Sequence, residues 1–325
     1  MGAEAPFLAA LGQELERTPG FVGWGERYEG KVRDNYTQGD RRLIVTTDRI
    51  SAFDRVLGTL PLKGQVLQWV SNFWFKLIEA DVPHHVIASP DPNAVVAHAC
   101  TPLGAEMVMR GYITGVTGTS MWTHYARGER RFCGHVLPEG MVKNQRLPEP
   151  LLTPSTKAGH GAHDVSRSRE ELIAHGDITA EDFDRAAILA HRLYARGRAH
   201  CAARGLILVD TKYEFGKRAD GEIVVIDELH TPDSSRYWFA DSYEERFAAG
   251  EAPESFDKEY VRRWLAQAGF TGDGPVPTIP EAVRVEAMVR YVTACETIVG
   301  RPFVPDLEAP LPRLRRHLAP LTAVG

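Results

Sequence analysis

LILVDTKYEFGKRADGEIVVIDELHTPDSSRYW, residues 206–238, decides how this chain is read. Two short apolar runs, Leu206–Val209 and Ile223–Ile226, each end in acidic residues. Between them Asp220-Gly221 signals a hairpin, because both residues tolerate the positive φ angles of a tight reversal. Side chains alternate faces along a strand, so Asp210, Lys212 and Glu214 are expected on one face. A hairpin pivoting on Asp220-Gly221 sets Glu214 opposite Asp227. Two facing carboxylates repel. A hard, oxygen-ligated cation such as Mg²⁺ resolves that conflict, and Lys212 adds a point charge suited to a phosphate or carboxylate. The other reading is an edge hairpin with a solvated, charged face.

Composition bounds the rest. The chain has 325 residues, 43% of them hydrophobic, enough for a sizeable core and two or three subdomains. A net charge of -5 does not suit a nucleic-acid binder, which usually carries a basic domain. No apolar run approaches the roughly 20 residues that cross a bilayer. The first residues have no basic stretch or long apolar run, which predicts no signal peptide. Cys100, Cys133, Cys201 and Cys295 form no CxxC pair, arguing against a zinc or disulfide framework and for a reducing cytoplasm.

Outward from the hairpin, Thr179 with Asp182 three residues on reads as the start of a helix running to about Arg204. Residues 5–17 and 64–80 are also expected to be helical, the second with Trp69, Phe73 and Leu77 on one stripe. Residues 23–47 look like short strands, further strands are expected near 84–88, 94–98 and 106–110, and 117–126 suits a short helix. Residues 134–168 show little periodicity and are read as a long irregular segment, of the kind that is functional or disordered. Helices near 241–248, 256–268 and 281–298 close the chain. A strand-rich start, an irregular middle and a helical end predict an α+β fold.

Several other stretches carry chemistry. Gly30-Lys31-Val32-Arg33 between two strands offers backbone donors and cations to a phosphate, although spacing alone also allows an exposed hairpin. Arg110 ends a strand before Gly111 and can clamp a carboxylate or phosphate with two parallel bonds. Lys157 and the pair His163-Asp164 lie in the irregular segment, and Arg236 lies just beyond the acidic hairpin. No GxSxG elbow or catalytic-cysteine signature is present, so nucleophilic hydrolysis fits poorly.

In order along the chain, GKVRDNY (30–36), TTDRISAFD (46–54), KGQVL (63–67), RGYITG (110–115), LPEPLLTPSTKA (147–158), HD (163–164), LILVDTKYEFG (206–216) and IDELHTPDSSRYW (226–238) resemble the SAICAR synthetase (phosphoribosylaminoimidazole-succinocarboxamide synthase) family, in its longer plant and fungal form. The resemblance implies an ATP-grasp-related α+β fold: an N-terminal β-rich, kinase-like nucleotide-binding subdomain (1–109), a catalytic subdomain (110–240) and a helical C-terminal region (241–325). It implies a cytoplasmic, carbon-nitrogen ligase of purine biosynthesis using ATP and Mg²⁺. The substrates would be carboxyaminoimidazole ribonucleotide and L-aspartate, with no nucleic-acid or membrane partner. It further implies Glu214 and Asp227 as metal ligands and Gly30, Lys31, Val32 and Arg33 as the ATP-binding loop. Lys212, Asp210 and Asp54 would be catalytic, and Ser51, Arg110, Ser120, Lys157, His163, Asp164, Ser235 and Arg236 would bind substrate. Relatives carry Ser after the TG of RGYITG, where it meets substrate phosphate. Here Val116 stands there, and Thr119 or Ser120 is expected to supply the hydroxyl. A small-molecule kinase, which shares the phosphate loop and acids but needs a hydroxyl acceptor, and a non-catalytic ATP-binding module are the rival readings.

Overall fold

In a computed structural model, which describes residues 2–52, 55–157, 164–255, 259–270, 272 and 274–322, helices and sheets alternate irregularly. The elements run α1 (Ala5–Ala9), β1 (Arg27–Glu29), β2 (Arg33–Gln38), β3 (Arg41–Thr46), β4 (Arg49–Ala52), β5 (Arg55–Thr59), α2 (Lys63–Ile78), β6 (Val86–Asp91) and β7 (Ala94–His98). Next come β8 (Thr101–Tyr112), α3 (Met121–Ala126), β9 (Arg131–Phe132), β10 (His135–Val136), β11 (Arg146–Leu152), β12 (Ser155–Thr156), α4 (Arg169–His175), α5 (Ala180–Ala202), β13 (Leu206–Lys217), β14 (Ile223–Ile226) and β15 (Ser235–Phe239). The chain continues through α6 (Ala240–Ala248), α7 (Glu259–Gln267), α8 (Glu281–Val299) and α9 (Pro310–Leu318). Two units form: Met1–Phe73 with His85–Ala99 and Phe256–Gly325, and Trp74–His84 with Cys100–Ser255. Among the described residues no helix is long and apolar enough to cross a membrane.

The first unit is built on an antiparallel sheet of order β1-β2-β3-β7-β6, with β4 and β5 as a separate hairpin. Its core gathers Leu15, Phe21 and Trp24 from the N-terminal segment and Tyr36, Leu43 and Val45 from the sheet. Leu314 and Leu318 of α9 complete it. The expected helix over 5–17 stops at Ala9, and Gly12 takes a φ of 79°. Beyond it the backbone is claimed by the link between β3 and β4 instead: Leu15 N–H donates to Asp48 Oδ2 at 2.7 Å. Helix α2 forms as expected, but its fully buried stripe is Leu67, Val70, Trp74 and Ile78. Trp69, Phe73 and Leu77 flank it, half-buried.

The second unit has a six-stranded sheet of order β11-β8-β13-β14, with β12 also on β8 and β15 also on β13. Helix α5 packs on it. Thr179 caps α5 as expected, its Oγ1 accepting from Asp182 N–H at 3.1 Å. Toward the other end Tyr194 sets its hydroxyl 2.9 Å from the carbonyls of Leu208 and Val209, pinning the main chain just ahead of Asp210. The supposedly irregular 134–168 stretch contains β10, β11 and β12. Pro148 and Pro150 hide β11 in the sequence, and proline is tolerated because β11 is an edge strand with a broken register between Arg146 and Leu151.

Candidate active site

Registry on three neighbouring strands builds one end of the site. Asp210 on β13 is paired with Arg110 on β8 and with Arg236 on β15. Paired residues point to the same side of a sheet, so one carboxylate stands between two guanidiniums. Arg110 Nη1 and Arg236 Nη1 lie 3.6 and 3.7 Å from Asp210 Oδ2, an oxygen with no hydrogen-bond partner. The row therefore holds two cations against one anion and has an unsatisfied buried oxygen. Arg110 is aimed by Thr153, whose Oγ1 accepts from its Nε at 2.8 Å, and by the Thr119 carbonyl at 3.0 Å from Nη2. Burial lowers its pKa, which Asp210 partly offsets; a guanidinium stays charged regardless.

Four residues along β13 lies the acidic end. The sequence placed Glu214 opposite Asp227; the structure instead pairs Glu214 with Ile226 across the hairpin and with Glu106 of β8 on its other side. Arg218 and Glu222 close a three-residue loop through Arg218 N–H to Glu222 O at 2.9 Å, with Gly221 at φ 90°. That longer loop shifts the register by one. The facing carboxylates are thus Glu106 and Glu214, and the cation between them is Lys212, whose Nζ donates to them at 2.5 and 2.9 Å. Lys157 donates to the second oxygen of Glu214. Burial alone would raise Glu214, but Lys212 and Lys157 overcome it and hold it down at about 2. Burial and the Glu214 charge push Glu106 up to about 7, against the pull of Lys212. Burial disfavours the Lys212 charge, yet Glu214 and Glu106 keep its pKa above the usual range.

Asp227 leaves β14 with a φ of 65° and adds its negative field to Lys212. Among the described residues no three His, Cys, Asp or Glu side chains form a ready cation cage. Mg²⁺ rarely uses such a cage; it is held by one or two carboxylates together with substrate phosphates. A fully ionised Glu214 with Asp227 nearby suits that mode, with oxygen donors only.

Between the two ends lies a pocket of about 230 Å³. It is lined by Arg110, Asp210, Lys212 and Arg236, by Glu106 and Asp164, and by hydroxyls of Thr117, Thr119, Ser120, Thr153, Ser155 and Ser234. Val116 is 78% exposed and lines nothing here. Ser120 does line the pocket: its Oγ accepts from Thr117 N–H at 3.0 Å and lies 2.8 Å from Thr117 Oγ1. Gly115 makes room, since a Cβ there would lie 2.3 Å from Ser120 Oγ. Ser235 does not line the pocket; its hydroxyl donates to Thr211 Oγ1 at 2.8 Å and ties β15 to β13. Its neighbour Ser234 takes the pocket position, and the Ser234 carbonyl accepts from Lys212 N–H at 3.0 Å. Asp54 and His163 lie outside the described residues. In the first unit, Ser51 stands on β4, and Gly30 to Arg33 form the β1–β2 turn, closed by Gly30 N–H to Arg33 O at 2.8 Å. Sequence reading missed Glu106, whereas it had marked the loop that supplies the Thr153 and Ser155 hydroxyls. The TPSTKA motif carried the signal for those hydroxyls.

A family model described as SAICAR synthetase matches residues 26–277. The chain belongs to the SAICAR synthetase family. Phosphoribosylaminoimidazole-succinocarboxamide synthase of Legionella pneumophila (strain Lens) is 48% identical over 284 residues, 87% of this chain and 90% of the relative. The chloroplastic synthase of Arabidopsis thaliana is 48% identical over 86% of this chain and 67% of its own length. Among solved structures, SAICAR synthase from Saccharomyces cerevisiae complexed with SAICAR superposes with a TM-score of 0.77 at 31% identity, over 90% of this chain and all of that one. As a member of the SAICAR synthetase family the chain is a ligase with that family's α+β fold.

Proposed function

We propose that this chain joins L-aspartate to the carboxylate of 5-aminoimidazole-4-carboxyribonucleotide, consuming ATP and yielding SAICAR, ADP and phosphate in purine biosynthesis. The observation that carries this reading is the pocket whose one end is the Arg110–Asp210–Arg236 row and whose other end is Lys212 between Glu106 and Glu214. A ribonucleotide is an anion at its phosphate and again at its carboxylate, so it asks for two separated cationic groups. Arg110, Arg236 and the Ser120 hydroxyl are suited to the phosphate, and Lys212 to the carboxylate. The similarity to a yeast structure complexed with SAICAR supports the same substrate class.

A carboxylate is a poor acceptor for an amine. In the reaction we infer, a carboxylate oxygen attacks the γ-phosphorus of ATP, the bond to the bridging oxygen breaks and ADP leaves. The aspartate amine then attacks the acyl carbon, phosphate departs, and the amine proton passes to a base. Phosphoryl transfer depends mainly on positioning and charge neutralisation. Lys212 orients the attacking carboxylate and offsets its charge. The Gly30–Arg33 turn, with Lys31 and Arg33, holds the ATP phosphates. Glu214 and Asp227 would hold Mg²⁺, whose charge would offset that of a phosphoryl group in transfer. Lys157 and Asp164 serve the amino-acid end, with Asp164 the base this pocket supports.

The test is a substrate-omission assay. ADP release that needs both the ribonucleotide and L-aspartate, with succinocarboxamide formed in step, is expected. Steady release with the ribonucleotide alone would indicate a kinase instead.

A further inference from the structure

One side chain shapes the Gly30–Arg33 turn from behind. Arg49 is 3% exposed. Its Nε donates to the Lys31 carbonyl and its Nη2 to the Gly30 carbonyl, both at 3.0 Å. Thr47 takes the next carbonyl, donating to Val32 O from its N–H at 2.9 Å and from Oγ1 at 2.8 Å. Three successive carbonyls are therefore held on one side. A trans peptide sets its C=O and the following N–H in opposite directions. The N–H groups of Lys31, Val32 and Arg33 accordingly turn to the other side, and successive N–H groups sharing one side make a concave anion site.

Arg49 is itself held on two sides. Nη2 also donates to Asp34 Oδ1 at 2.8 Å, and Nη1 to the Glu16 carbonyl at 2.5 Å. Asp34 in turn accepts from Thr18 N–H and Oγ1 at 2.8 and 2.6 Å. Glu16 and Thr18 precede residue 26, where the family match begins.

We propose that Arg49 is a positioning residue for the nucleotide phosphates. It orients the turn's N–H groups without touching the nucleotide, and residues 16–18 brace it. This rests on reading Gly30–Arg33 as the phosphate loop.

The experiment compares ADP with adenosine, by calorimetry without divalent cation, in wild type, K31A, R49K and T47V. Lysine keeps a charge beside Asp34 but cannot reach three carbonyls. R49K is expected to weaken ADP by about 10-fold and to leave adenosine within about twofold; T47V shifts ADP in the same direction by about threefold. K31A tests the loop reading by itself, through selective loss of ADP. If K31A loses ADP selectively while R49K and T47V keep the wild-type ratio of ADP to adenosine affinity, the role of Arg49 is overturned and the loop reading stands. Equal loss of ADP and adenosine in R49K marks a purely structural role and also overturns it. If K31A binds ADP normally, the loop reading falls and the Arg49 role falls with it. Should R49K fail to fold, the ratio in T47V decides.

Discussion

Glu214 accepts from two ammonium groups and faces a second carboxylate, Glu106, across the β8–β13 ladder. Replacing it with Gln keeps the shape and removes the charge. Glu214→Gln is expected to lower turnover at least ~100-fold, because it weakens a charge clamp worth several kcal/mol; near-normal ADP release would remove Glu214 from the site. At the other end, Arg236→Ala is expected to raise the KM for the ribonucleotide by about 10-fold or more, from loss of a charge-assisted bond. The KM for ATP should stay near wild type, and a change in both would mean that Arg236 does not discriminate between them. Much of this was legible in the sequence. Asp210, Lys212 and Glu214 share a face because strand alternation is rigid. The register across the hairpin was misassigned: Glu214 pairs with Ile226 and faces Glu106, and Lys212 donates to both carboxylates. Glu106 was not legible: it sits in an apolar run, and only the partner strand reveals what it faces. Thr119 and Ser120, the two expected substitutes for a hydroxyl at Val116, both line the pocket, and Gly115 at a φ of 100° lets the chain turn back there.

Between elements, short-range signals read well and long-range ones poorly. Helix α5 has its cap written beside it, whereas the β13–β14 register depended on a loop length that Asp220-Gly221 did not fix. Strand β11 was hidden by prolines that only an edge position allows. The packing of α5 on β13 makes a further prediction. A Cβ on Gly197 would lie 2.8 Å from the His230 ring and from Leu208 Cδ2, all within a closed core. Gly197→Ala is expected to destabilise the protein by about 2 kcal/mol through overpacking, read as a lower urea midpoint. An unchanged midpoint would mean that α5 can shift away from the sheet at little cost.

For the chain as a whole, stability also depends on buried polar groups that take no part in the pocket. Arg313 of α9 and Asp91 of β6 are both fully buried and lie 3.0 Å apart, and Arg313 also donates to Asn93 Oδ1 at 2.5 Å. Arg313→Met takes the guanidinium from Asp91, leaving it the His317 ring and the Asn93 N–H, and is expected to cost about 3 kcal/mol, checked by chemical denaturation. Acid lability has a separate source. Burial pushes His230 down to about 3, and the Leu193 carbonyl only partly offsets this. The unfolded chain then takes up the proton first, near pH 6.5. Stability from this group is full above that pH and declines as pH falls from about 6.5 toward 3, by about 1.4 kcal/mol per unit. Between pH 7 and 5, wild type should lose stability relative to His230→Gln; parallel curves would show that His230 is protonated without penalty. Ligation of an amine to an activated carboxylate in this pocket can be followed with ribonucleotide labelled with ¹⁸O in both carboxylate oxygens. Incubation with Mg²⁺-ATP and L-aspartate, followed by mass analysis of the released phosphate, follows the transferred oxygen. Each phosphate is expected to carry one ¹⁸O, delivered when the acyl phosphate gives way to the amide. Phosphate without the label would contradict this route.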